Sequence, residues 1–216
     1  MKYFNLQTIF SAFLFILFSY ACGVKSPGNS SFQGKMIYSV NSDMHSPEAK
    51  DSINYQIIYT NDSMVRIESF TPIGKQIYIE HIPKNRAYIL MDLGHKQVAI
   101  QTYTEPDSVN QDKYAFKPKF GSKKFAGQKA KKIEVINKVQ DTTMTMYYLP
   151  DISPKYINAL EGIPGLPTKY SVYSGGLWIN YELKSMEERA VPKDYFGIPN
   201  THEIITLDEF IELLKN

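Results

Sequence analysis

Few residues in this chain are typed and spaced for chemistry. Cys22 is the one cysteine in 216 residues, and it stands where an apolar run, Ile9 to Phe18 broken by Ser11, gives way through Ser19-Tyr20-Ala21. A single thiol can form no intrachain disulfide, so the fold has to rest on its own core. The four histidines, His45, His81, His95 and His202, fall in separate segments without the paired spacing of HExxH, and a shared metal site has no motif. His81 and His95 stand at strand or turn edges, where a solvated ring is the plain expectation. No GxSxG elbow and no P-loop occurs. Ser174-Gly175-Gly176 reads as a hairpin turn rather than a nucleophile's loop. The acidic pairs Glu187-Glu188 and Asp208-Glu209 read as a solvated face and as helix-start charges. The sequence calls for no cofactor and no metal, and predicts that the protein is not an enzyme.

The surroundings of Cys22 explain its position. Residues 1–21 have the layout of a signal peptide: Lys2 gives a positive start, the apolar core follows, and a mostly small-residue approach leads to the cysteine. The apolar run is shorter than the roughly 20 residues that span a bilayer. Taken together, this stretch resembles the precursor of a bacterial lipoprotein, whose lipobox ends in a cysteine that is acylated and becomes the N-terminus after cleavage. Tyr20 departs from the small residue usual beside that cysteine. The resemblance implies that Cys22 is a lipid anchor and that the chain is membrane-attached through several acyl chains, which hold stably where one holds marginally. Residues 22–31 then form a small, polar, flexible tether. With no aspartate at 23 and no acidic cluster, the same resemblance implies the periplasmic face of the outer membrane.

From Cys22 onward 195 residues remain, enough for one medium domain over 32–216, with a formal charge of +1 once Lys2 is removed. That near-neutral balance, read without any dense Lys/Arg stripe, argues against nucleic acid as a partner.

The elements that must carry any site are strands. From Phe32 to Tyr103, short runs of alternating or β-branched and aromatic residues are separated by turn residues at the spacing of an antiparallel all-β domain. Phe32, Met36, Tyr38 and Val40 share one face of a strand, and Ile53, Tyr55, Ile57 and Tyr59 share one face of the next. Asn61-Asp62, Pro83-Lys84-Asn85 and Leu93-Gly94 mark turns of a meander. Residues 104–124 break the rhythm with polar, Lys-rich sequence and read as a crossover flap or mobile segment. Strands resume at KKIEVIN and TTMTMYYLP, and Gly175-Gly176 suits a tight turn between two further runs. Thr206 and Glu209 form a capping box for a short helix, with Phe210, Leu213 and Leu214 expected to dock it. The expectation is a mainly β fold of about ten strands: a curved antiparallel sheet, half-barrel or open barrel, with a short C-terminal helix and few other helices. Apolar residues on both faces of RAYILM predict that the central strands are covered on both sides or that the sheet curls.

One segment carries a second resemblance. MTMYYLPDISPKYINALEGIPGLPTKYSVY is similar to the signature region of the GLPGLI family, with the motif standing here as Gly162-Ile163-Pro164-Gly165-Leu166-Pro167. Ile replaces its first Leu and Pro its final Ile. That family looks similar in turn to the LolA/LolB lipoprotein carriers, which implies a half-barrel around an acyl-chain cavity. Read from the residues alone, Pro164-Gly165 is a rigid turn, with Gly165 taking the positive φ that such a turn needs.

Past residue 21 the chain holds 14 Tyr against 7 Phe and 1 Trp, a balance that suits half-wet surfaces or an ordinary sheet with Tyr on its solvated side. Two functions follow as expectations. The first is a lipid-anchored module holding a lipid or other apolar ligand in the concave face of the sheet, which predicts an apolar cavity there. The alternative is a non-catalytic structural or accessory subunit with an envelope protein partner, which predicts a filled core and an exposed aromatic patch.

Overall fold

The computed structural model describes residues 30–42, 54–71, 74–103, 113–157, 160, 162–174 and 176–215. The signal peptide, Cys22, His45, Ile53 and Gly175 lie outside them, and so do most of the tether and the first part of the expected flap, 104–112.

Twelve strands form one sheet: β1 (Gln33–Ser42), β2 (Asn54–Asn61), β3 (Met64–Thr71), β4 (Gly74–His81), β5 (Arg86–Asp92), β6 (Gln97–Tyr103), β7 (Tyr114–Phe125), β8 (Gln128–Asn137), β9 (Thr142–Leu149), β10 (Leu166–Ser174), β11 (Leu177–Glu188) and β12 (Glu203–Ile205). A seven-residue helix, α1 (Leu207–Leu213), follows. Two meanders, β1 to β6 and β7 to β11, are joined where β1 pairs antiparallel with β11, so that Gly34 faces Glu188. β12 adds in parallel to β6, and β7 and β12 are the two edges. β7 nevertheless comes into contact with β11, although β8, β9 and β10 lie between them in the sheet, so this end rolls while the sheet stays open.

Alternation sorts the strands into two faces. On the inner face Phe32, Met36, Tyr38, Ile58, Ile67 and Ile100 join one core with Ile133, Met146 and Leu183 of the second meander. On the outer face Tyr59, Ile79, Leu90 and Ala99 form a smaller core that Val191 and Phe196 cover. The two-sided covering expected from RAYILM is thus present in β5, where Ile89 points to the first core and Leu90 to the second. Each fully buried aliphatic or aromatic side chain contributes about 1.5–3 kcal/mol.

Several expectations change. The Lys-rich stretch read as part of a flap is strand from Tyr114 onward, and twelve strands replace about ten, the additions being β7 and the three-residue β12. In β2 Ile57 and Tyr59 do share the outer face, as expected, with Tyr55 exposed beyond the small core there, while Ile58, outside that row, enters the inner core. The capping box of α1 is formed, with the Thr206 hydroxyl accepting from the Glu209 N–H and the Glu209 carboxylate accepting from the Thr206 N–H. Of the three residues expected to dock that helix only Phe210 does so, with Leu207 packed beside it; Leu213 and Leu214 are exposed.

Candidate functional site

After β11 the chain crosses the outer face as a strap, residues 189–198. The Arg189 N–H donates to the Gln33 carbonyl at 3.1 Å, Val191 is buried, and a 3-10 turn over Lys193–Phe196 seats Phe196 in the outer core. Beneath the start of the strap lies a cleft of about 570 Å³ lined by Gln33, Asn61, Ser63, Met64, His81, Pro83, Val191, Pro192 and Lys193. The sheet brings these residues together because Met64 and His81 are cross-strand partners and Asn61 to Met64 form the adjoining β2–β3 turn.

His81 is the chemically capable group there. Its ring is only partly exposed, and its Nδ1 is shut off from solvent without a hydrogen-bond partner, contrary to the solvated ring expected from sequence. The Asn61 carboxamide oxygen is already occupied by the Ser63 and Met64 N–H groups. No carboxylate orients the imidazole through Nδ1, so the arrangement lacks the base–orienter pair of a nucleophilic site. What remains is a polar-lipped cleft in which an imidazole and the Lys193 ammonium could meet a small polar group.

A second cluster sits beside it. The Phe32 N–H donates to the Tyr156 hydroxyl at 2.7 Å, Tyr156 donates in turn to the Asp62 carboxylate, and Lys155 pairs with the same oxygen. Burial first, and then the hydrogen bond to Asp62, push the Tyr156 phenol well above its usual range. Burial alone would raise Asp62; Lys155 and Tyr156 outweigh it and hold the carboxyl below its ordinary value. This chain of bonds fastens the connection after β9 to the start of β1 and to the β2–β3 turn. On the inner face, burial pushes the Glu80 carboxyl up to about 7, and the hydrogen bond from Tyr78, at 3.1 Å, opposes that only in part.

The motif residues run from the β9–β10 connection into β10, which begins at Leu166. Gly162 takes the positive φ, +78°, while Gly165 does not; a Cβ on Gly165 would stand 2.2 Å from the Leu149 carbonyl oxygen. Glycine at 165 is therefore required by close backbone approach, not by the turn conformation expected from sequence. Ile163 and Leu166 are fully buried in the inner core, Pro164 is exposed, and the Tyr38 hydroxyl donates to the Pro167 carbonyl at 2.7 Å. Gly162, Ile163, Pro164, Gly165 and Leu166 thus form a packed connection and do not line the cleft.

His95 and His202 are placed apart from His81, and no group of three metal-ligating side chains occurs among the described residues. No helix among them is long and apolar enough to cross a membrane. The cleft itself was not visible in the sequence, because its residues come from four separate places along the chain.

No protein-family model matches the sequence, and no curated protein matches it. Among solved structures the chain is similar to PNGF-II, at 15% identity and a TM-score of 0.54 over 86% of this chain; it spans about a third (34%) of that protein's length. It is also similar to an uncharacterised conserved protein from Thermus thermophilus, at 9% identity and a TM-score of 0.50, covering 81% of this chain and 91% of that one. At such identities the likeness is one of fold.

Proposed function

We propose that the protein is a lipid-anchored, non-catalytic accessory lipoprotein of the bacterial envelope, held by Cys22 at the periplasmic face of the outer membrane. Kinship with the GLPGLI-like lipoproteins belongs to the same reading. The observation that carries the accessory role is the filled inner face: Tyr156, Ile157, Leu160, Ile163 and Leu166 pack against Phe32, Met36 and Tyr38, where a lipid carrier would need room for a chain. This favours an accessory subunit over a module with an apolar ligand in the concave face. Exposed Tyr173, paired across the β10–β11 hairpin with Trp178 at 5.2 Å between ring centroids, supplies the aromatic patch that a protein partner would cover.

Detergent phase partitioning with metabolic acyl labelling tests the anchor. The native chain is expected in the detergent phase with label, and Cys22→Ser without either; unchanged partitioning of the variant sinks the lipoprotein reading. Native mass spectrometry with lipid extraction tests the accessory role. A clean apo mass is expected, and a stoichiometric acyl ligand would return the weight to a carrier.

A further inference from the structure

The charge of the chain is unevenly placed. Lys113 to Lys132 holds eight of the 24 basic residues and no Asp or Glu, so the rest of the chain carries 16 basic against 22 acidic residues. A net charge of +2 therefore conceals a basic β7–β8 hairpin on an acidic body, a lysine stripe that the overall balance hides. Lys117, Lys119, Lys123 and Lys124 on β7 and Lys129 and Lys131 on β8 are all exposed. Of these, Lys119 pairs with Glu134 at 2.9 Å, on the same hairpin.

The hairpin also carries an apolar group in water. Its register breaks between Pro118 and Ser122, which leaves the backbone of Lys119, Phe120 and Gly121 outside the ladder with β8. Phe120 is fully exposed at 103%. Lysine, proline and a bulge on an edge strand also keep that edge from pairing with other sheets. That function accounts for Pro118 and the bulge, but it gives no reason for an extruded phenylalanine.

The position of the hairpin selects the partner. Lys131 faces Tyr148 near the end of β9, and the Ser30 N–H donates to the carbonyl of Asp151, just past that end, at 2.9 Å. Ser30 thus lies at the same end of the sheet as the β7–β8 turn. Cys22 stands eight residues earlier, a reach of at most about 28 Å when extended. Acyl chains on Cys22 would hold this end of the domain toward the bilayer.

We propose that the β7–β8 hairpin is a membrane-docking element that lays its lysines on an anionic phospholipid surface and inserts Phe120 at the headgroup boundary. Lysines near such a surface and an aromatic side chain at the interface are the two contributions that surface binding draws on. The proposal rests on the lipoprotein reading only for the direction in which the hairpin faces.

The test uses the full chain carrying Cys22→Ser, so that no acyl chain contributes, in co-sedimentation with vesicles of phosphatidylglycerol mixed with phosphatidylcholine or of phosphatidylcholine alone. Binding is expected on the anionic vesicles, weakened by salt, and reduced about tenfold or more by Lys123→Gln with Lys124→Gln. Phe120→Ser is expected to weaken binding while leaving its salt dependence unchanged. Should the lysine pair fail to fold, Lys117→Gln with Lys129→Gln carries the same expectation. Equal binding to both vesicle types, variants that bind as tightly as the parent, or displacement of the protein from anionic vesicles onto nucleic acid or an acidic protein at equal charge would overturn the proposal. Loss of acyl labelling at Cys22 leaves this result untouched, so the two readings fail separately.

Discussion

Arg66 holds Tyr195 twice: its guanidinium lies 4.9 Å over the tyrosine ring, and its Nη1 donates to the Tyr195 carbonyl at 3.2 Å. The same guanidinium is aimed by Glu68, at 2.7 Å, whose other oxygen takes Lys75 at 2.8 Å. Tyr195 also meets Tyr59 edge-on with centroids 4.8 Å apart. One arginine of β3 therefore clamps the strap that roofs the cleft.

Arg66→Ala is expected to lower stability by about 1–2 kcal/mol and to speed amide exchange across 191–197 more than in the strands beneath. The clamp also has a pH dependence. Burial alone would raise the Glu68 carboxyl, yet hydrogen bonds from Lys75 and Arg66 hold it below its ordinary value. Its contribution is present above the unfolded carboxylate range and is lost as pH falls through the lowered value. Exchange measured down an acid series should show the strap loosening in the parent and little further change in the Arg66→Ala, Glu68→Gln double variant.

Glu80 has the opposite sign. Its carboxyl is raised from 4.5 to about 7, so the stability it allows is fully present below 4.5 and is lost as pH climbs through 7. Glu80→Gln should raise the melting temperature at pH 8, by up to about 3 kcal/mol equivalent, and change it little at pH 4. Thermal unfolding at the two pH values reads this directly, and an equal shift at both would count against a buried titrating carboxyl.

Gly165 and Gly162 separate two uses of glycine. Gly165→Ala drives a Cβ against the Leu149 carbonyl and is expected to destabilise by at least about 2 kcal/mol. Gly162→Ala faces only a 3.3 Å approach to the Phe116 ring and a left-handed backbone, at roughly 1–2 kcal/mol. Denaturant midpoints of the pair give the order.

For α1, Phe210→Ala should remove about 3–5 kcal/mol, because the ring is buried in the inner core, while Leu214→Ala should stay within about 0.5 kcal/mol. Comparable losses at both positions would mean that the helix docks on a different face.

The meander β2 to β6 and the α1 capping box could be read from sequence because each depends on neighbours a few residues apart: turn residues between alternating runs, or Thr206 and Glu209 at a spacing of three. β7 was missed because Lys117, Pro118, Lys119 and Gly121 are poor strand formers, tolerated at an edge that needs hydrogen bonds on one side only. The role of Gly165 escaped local reasoning because its constraint is the Leu149 carbonyl on another strand, and β12 because three residues carry no period. The cleft has no local signature at all, since the strap joins it to four strands only after the sheet exists.

The pairing of β1 with β11 sets an order in time. Gly34 and Glu188 are separated by 154 positions, so the ladder joining the two meanders cannot form until nearly the whole chain is available. Until then β1 has one open edge, and both Phe32 and Tyr38 lack the residues that bury them, Tyr156 and Tyr170 among them. Such non-local closure is slow compared with the making of hairpins. A chain delivered across a membrane from its N-terminus would pass through a half-finished sheet, and a truncation anywhere before β11 would leave it there.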